Sequence, residues 1–215
     1  MTSKGAEMKR KHRQYENKLA SVTQVLSVLR KMGLEFWFKA NTSAFCNAES
    51  NKGKLVGRQI HEAIEQYIVE GSCKIDSEYA GEVENALNSF INWKKDYPDI
   101  KLELSEVALT SEKYGFNGTI DAPNPPVLID WKTGNAKDND FPKIYDEHLY
   151  QCAAYVYLWN DKNPDNQIEE AMIVCFAKDK VAYNVRIMDK QEIDDCFNKV
   201  FLPTLSIYNY QKETK

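Results

Sequence analysis

No run of 18 or more apolar residues occurs anywhere in the 215-residue chain, and a helix needs about that length to cross a bilayer. Its opening, MTSKGAEMKRKHRQYENK, is charged and leads into no apolar core of a leader peptide. The sequence therefore carries the signature of neither a membrane span nor a secretory signal, and the expected location is cytoplasmic. Cysteine is sparse. The five present, Cys46, Cys73, Cys152, Cys175 and Cys196, are odd in number and scattered without any C-x-x-C pair, which excludes a disulfide framework and argues against a thiolate metal site. They are expected to be reduced and buried. His61-Glu62 begins like the zinc-protease pattern H-E-x-x-H, but position 65 is Glu, so that chemistry is excluded too. Repeats and low-complexity linkers are also lacking, and at 43% hydrophobic the chain reads as one globular domain over 16–215 behind a basic tail at 1–15.

What is present is an uneven charge. The net value is −4, yet residues 1–58 hold twelve Lys or Arg against four acids, a balance of +8, which leaves −12 for the remainder. A phosphate-binding face on an acidic body would produce such asymmetry, and so would a solvated tail. Lys52, Lys54 and Arg58 are the cations of this region nearest His61 in sequence, which makes them candidates for nucleic-acid contact.

Hydrophobic spacing predicts helices at 21–38, 55–70 and 78–95, then strands at 102–112, 116–122 and 127–133 separated by turn signals. A helix at 143–160, strands at 168–177 and 180–188, and a C-terminal helix over 189–209 complete the pattern. The order predicts an α/β (α+β) fold, a single mixed sheet of about five strands flanked by helices.

The segment GTIDAPNPPVLIDWKTG, 118–134, raises the sharpest question. Asp130 interrupts an apolar strand, where an uncompensated charge costs several kcal/mol, of order ~3–5 for a broken buried pair. Alternation puts Leu128, Asp130 and Lys132 on one face and Val127, Ile129 and Trp131 on the other. If Asn124-Pro125-Pro126 turns the chain back, Asp121 arrives beside them. Two carboxylates and an ammonium then converge, and a hard cation such as Mg²⁺ is the natural compensation. The bland alternative is a buried Asp–Lys pair that merely fixes register.

Other residues are weak alone. Gly57 lies one turn before His61 on the same helix face, where a glycine costs about 1 kcal/mol relative to alanine and suggests a close neighbour. Glu106 is expected mid-strand in LELSEVALT, and Gln151 and Tyr155 lie four apart on one helix face. In order, Gly57-x3-His61, Glu106, Gly118-x2-Asp121, Asp130-x-Lys132-Thr-Gly and Gln151-x3-Tyr155 resemble the PD-(D/E)XK nuclease superfamily, in its RecB-like branch, which is similar to phage-type and mitochondrial genome maintenance exonucleases. The resemblance spans about residues 21–160. Ile120 stands where the name-giving proline would be, and the cysteines of relatives with an iron–sulfur cluster are missing, so no cluster is expected.

The resemblance implies a restriction-endonuclease-like, lambda-exonuclease-like core and a nuclease that hydrolyses DNA with Mg²⁺ or Mn²⁺ in a bacterial or phage-infected cell. It implies Asp121 and Asp130 as main ligands, His61 completing the set, and Glu106 on a second ion or a bound water. Lys132 would orient the attacking water and offset transition-state charge, and Gln151 and Tyr155 would contact the phosphate or nucleotide beside the scissile bond. The implied substrate is single-stranded DNA or a duplex end, cut as an exonuclease in replication, recombination or repair, with a recombination or replication protein as a conceivable partner. A structure-selective endonuclease, a catalytically inactive nucleic-acid-binding module on the same fold and a hydrolase of small phosphate esters stay open beside it. Phe36, Trp37, Phe38 and Phe45, interleaved with Lys39, Lys52, Lys54 and Arg58, suit a separated strand; their bland reading is core.

Overall fold

In the computed structural model, which describes residues 19–29, 32–137 and 139–214, the chain runs through β1 (Ala20–Ser21), α1 (Val22–Leu26), α2 (Met32–Ala40), α3 (Ser43–Glu70), α4 (Ala80–Asp96), β2 (Val107–Ser111), β3 (Phe116–Ile120), β4 (Ala122–Asn124) and β5 (Val127–Gly134). It continues through α5 (Asp146–Lys162), β6 (Glu170–Ala177), β7 (Tyr183–Met188), α6 (Lys190–Cys196), a π-helical turn (Phe197–Phe201) and α7 (Leu202–Glu213). The basic tail expected at 1–15 lies outside the described residues. Among the described residues no helix is long and apolar enough to cross a membrane.

The α/β class is as expected, but the strands form two sheets rather than one. β1, β3 and β2 make a three-stranded sheet and β4, β5, β6 and β7 a four-stranded one. The division falls at Asp121, where a bend separates β3 from β4. β4 then turns through Pro125-Pro126 and pairs antiparallel with β5, Asn124 opposite Val127, as the turn residues predict. β5 and β6 are parallel, a connection that requires a crossover, here α5.

The larger sheet is buried on both faces. Leu128, Ala171 and Ile173 pack with α5, α6 and the π turn in one core, while Ile129, Trp131, Met172, Val174 and Phe176 pack with α3 and α4 in another. Trp131 meets Trp93 with ring centroids 5.0 Å apart and Phe90 at 5.7 Å. The predicted alternation of β5 is therefore realised, and it directs Asp130 and Lys132 toward α5.

The helices begin and end where local chemistry allows. Ser21 Oγ accepts from Gln24 N while Gln24 Oε1 accepts from Ser21 N, a reciprocal cap that satisfies two otherwise orphaned donors of α1. Only five residues follow before the helix stops, so the single helix predicted over 21–38 is two. α3 starts at Ser43, capped by Thr42, and ends on Gly71 in the left-handed region, φ 72°. Its first three turns were invisible to hydrophobic spacing because Cys46 is their one buried residue. All five cysteines are free; Cys46, Cys152 and Cys175 are buried, whereas Cys73 and Cys196 are half-buried rather than fully so.

Candidate metal centre and its cleft

Three elements bring donors together. His61 comes from α3, Glu106 from the residue before β2, and Asp121 from the bend between β3 and β4. One ligand atom from each lies within 4.8 Å of the others. His61 Nδ1 is 3.6 Å from Glu106 Oε1 and 3.6 Å from Asp121 Oδ1. The other oxygen of Asp121, Oδ2, accepts from Trp131 N at 2.8 Å, which fastens the bend to β5.

Glu106 is not mid-strand. Residues 101–105 have no regular structure, and Glu106 itself takes φ 53°, a left-handed conformation uncommon for a residue with a side chain. Its N–H donates to Asp121 O at 2.9 Å, so the backbone of one acid holds the other in place. Strain of this kind costs about 1–3 kcal/mol and gathers at functional sites.

Asp130 stands outside the three-donor group. It is 1% exposed, and its Oδ2 accepts from Lys132 Nζ, whose side chain is itself largely shielded. The other oxygen, Oδ1, is buried with no hydrogen-bond partner among the described residues. An orphaned carboxylate oxygen in the interior is costly, and a cation is one way to satisfy it. Burial works against the charge on Lys132, but the carboxylates of Asp130 and Asp121 outweigh it and raise its pKa. Lys132 is thus a firmly protonated ammonium rather than a base.

Asp121 behaves in the opposite sense. Burial raises its pKa to about 6; Asp130 and Glu106 add to the rise, and His61 and Lys132 oppose it. His61 is disfavoured as a cation by burial, yet Asp121 and Glu106 more than compensate and its pKa is raised. Burial is the main cause of the Asp121 shift, and the neighbouring carboxylates add to it.

Two of the donors, His61 and Asp121, open on a cleft of about 720 Å³ that Lys132, Gln151 and Tyr155 also line, among others. Gln151 Nε2 donates to Tyr155 Oη at 2.8 Å, so these two act as a pair. Burial, followed by the charge of Asp130, raises the Tyr155 pKa, which keeps the phenol neutral. Gly118 explains how Tyr155 reaches the cleft. A Cβ at Gly118 would lie 2.7 Å from Tyr155 Cε1, so the strand must be bare there. Gly57 is different: a Cβ would meet only Thr133 Oγ1, at 3.6 Å, and the close neighbour expected there leaves room for a methyl group.

The three cations proposed from sequence do not stay together. Lys52 Nζ pairs with Glu82 of α4 at 3.0 Å and lies over the Tyr79 ring. Lys54 and Arg58 are exposed and fall seven and three residues before His61, on its flank of α3. Nothing in the sequence marks Thr23, Asn117 and Thr119, which line the same cleft, because isolated hydroxyl and amide residues carry no periodic signal. Phe36, Phe38 and Phe45 are 62%, 46% and 48% exposed, which overturns the bland reading of these rings as core.

No family model matches the chain, and no curated protein sequence does. Among solved structures, it is similar to an unconfirmed exonuclease from Eubacterium rectale, with 14% identity over 72% of this chain and 68% of that one and a TM-score of 0.49. It is also similar to a phage-related exonuclease from Haemophilus somnus (13% identity, 92% and 96% of the two chains, TM-score 0.44). An alkaline exonuclease from Laribacter hongkongensis matches at 15% identity over 91% and 92% of the two chains, TM-score 0.43.

Proposed function

We propose that the chain is a divalent-metal-dependent nuclease that hydrolyses DNA phosphodiester bonds from DNA ends, in replication, recombination or repair. The observation that carries this is the convergence of His61, Glu106 and Asp121 within 4.8 Å at a cleft that His61 and Asp121 line together with Lys132, itself paired with Asp130. One imidazole and two carboxylates suit Mg²⁺ or Mn²⁺ better than a thiolate-seeking metal. His61, Glu106 and Asp121 would hold the ion, and Asp130 would act through Lys132, whose ammonium it pairs with. Such an ion, when bound, supplies charge neutralisation and a more acidic water.

The remaining work falls to the chain. Lys132, held protonated by Asp130, offsets the charge that grows on a phosphate in the transition state and orients a water by hydrogen bonding. Tyr155 Oη accepts from Gln151 and can give its own proton to a phosphate oxygen, since it remains neutral. Both fix the nucleotide beside the scissile bond.

End-dependence is tested with a labelled single strand, linear or closed into a circle, incubated with Mn²⁺. The linear strand should be degraded progressively and the circle spared. Equal cleavage of both would replace this reading with a structure-selective endonuclease.

A further inference from the structure

We propose that the cleft between α1, α2 and α5 is a second nucleotide subsite, which takes an unpaired base adjoining the phosphate held over Lys132. This rests on the nuclease reading and specifies how its substrate lies. The cleft encloses about 620 Å³ and is walled by Leu26, Leu29, Leu34 and Phe38 with His148 at its side. It shares Thr23, Lys132 and Gln151 with the metal cleft. The two are therefore one groove, whose second half adds an apolar wall of Leu26, Leu29, Leu34 and Phe38 beside Glu35, Glu147 and His148.

An apolar wall beside polar groups matches a nucleotide chain, charged along its backbone and apolar on its base faces. On α5, His148, Gln151 and Tyr155 follow at i, i+3 and i+7, a single helix face spanning roughly 10 Å at 1.5 Å per residue. One row of polar side chains thus runs through both halves of the groove, suited to successive phosphates. Opposite it, Leu34 and Phe38 are each 46% exposed, an uneconomical placement for apolar groups unless something covers them. Glu35 and Glu147 also line this half. A base in a duplex is stacked and paired, so only an unpaired one can lay its face on Phe38.

The test measures binding of a labelled single strand by fluorescence anisotropy, with Ca²⁺ as a slow-turnover ion, for wild type, Phe38→Ala and His148→Ala. An abasic strand with the same phosphates serves as the comparison. Phe38→Ala should weaken the normal strand about tenfold, in the range of one lost base stack, and leave the abasic strand unchanged. His148→Ala should weaken both strands alike, since it removes a polar contact to the backbone and none to a base. Mn²⁺ affinity by calorimetry should match wild type in Phe38→Ala, since its ring is on the surface. If Phe38→Ala binds the normal strand as wild type does while wild type still cleaves DNA, the subsite is wrong and the nuclease reading stands. If wild type neither binds nor cleaves any strand with Mn²⁺, both fall.

Discussion

Asp121 carries the electrostatic tension of the site. Its pKa of about 6 lies above the ordinary 3.8, chiefly through burial, so folding favours the protonated carboxyl relative to the unfolded chain. That contribution to stability is fully present below pH 3.8 and is lost as the pH rises through about 6, a swing on the order of 3 kcal/mol. The raised pKa of His61 acts in the same direction. A cation reverses the balance, because it needs the deprotonated forms. Mn²⁺ affinity, followed by calorimetry, should therefore fall about tenfold or more for each pH unit below 6. Proton release on binding should accompany the fall. A flat affinity between pH 5 and 7 would remove Asp121 from the cation site. At this scale the sequence was informative wherever a residue broke its surroundings: Asp130 declared itself as a charge inside an apolar strand. Glu106 did not, because its placement depends on a left-handed backbone held by Asp121 O, and no periodicity encodes that.

Two glycines show how elements are joined around the cleft, and they should respond oppositely to alanine. At Gly118 an added Cβ meets Tyr155 at 2.7 Å and Leu158 at 3.2 Å, so Gly118→Ala forces α5 away from β3. It should cost about 1–3 kcal/mol, as overpacking does, and should weaken turnover by displacing Tyr155. Gly57→Ala meets nothing closer than 3.6 Å and lies within α3, so it should stabilise by about 0.5–1 kcal/mol. Urea denaturation of both variants checks this; equal effects would mean that the packing of α5 on β3 is misjudged. The same elements explain what the sequence hid. The strand β5 itself was plain, since both of its faces bury apolar groups and it reads as an apolar run. The division into two sheets was not, because it hangs on one bend at Asp121. The C-terminal helix predicted over 189–209 contains a π turn that brings Phe197 and Phe201 into the core, with Phe197 stacked on Tyr157; an extra residue per turn leaves no trace in a 3.6-residue pattern.

Across the whole molecule, the basic N-terminal part and acidic remainder divide into cations with different duties. Lys52 is spent on Glu82, whereas Lys54 and Arg58 face outward on the flank of His61. Neutralising Lys54 or Arg58 should each lower the salt slope of single-strand binding by about 0.7, while Lys52→Gln should leave it unchanged and alter stability little. A slope that responds only to Lys52 would place the nucleic-acid face on the side of α3 that meets α4 instead.

If Asp121 and its neighbours hold the ion and Lys132 offsets the transition-state charge, the two groups separate in their effects. The most direct measurement pairs an Mn²⁺ titration with turnover of labelled linear DNA on the same samples of wild type, Asp121→Ala and Lys132→Met. Wild type should bind Mn²⁺ and cleave only in its presence, Asp121→Ala should lose both, and Lys132→Met should keep the ion and lose at least a hundredfold in rate, about 2.7 kcal/mol of transition-state stabilisation. Mn²⁺ binding that survives in Asp121→Ala, or full cleavage by Lys132→Met, would contradict these roles.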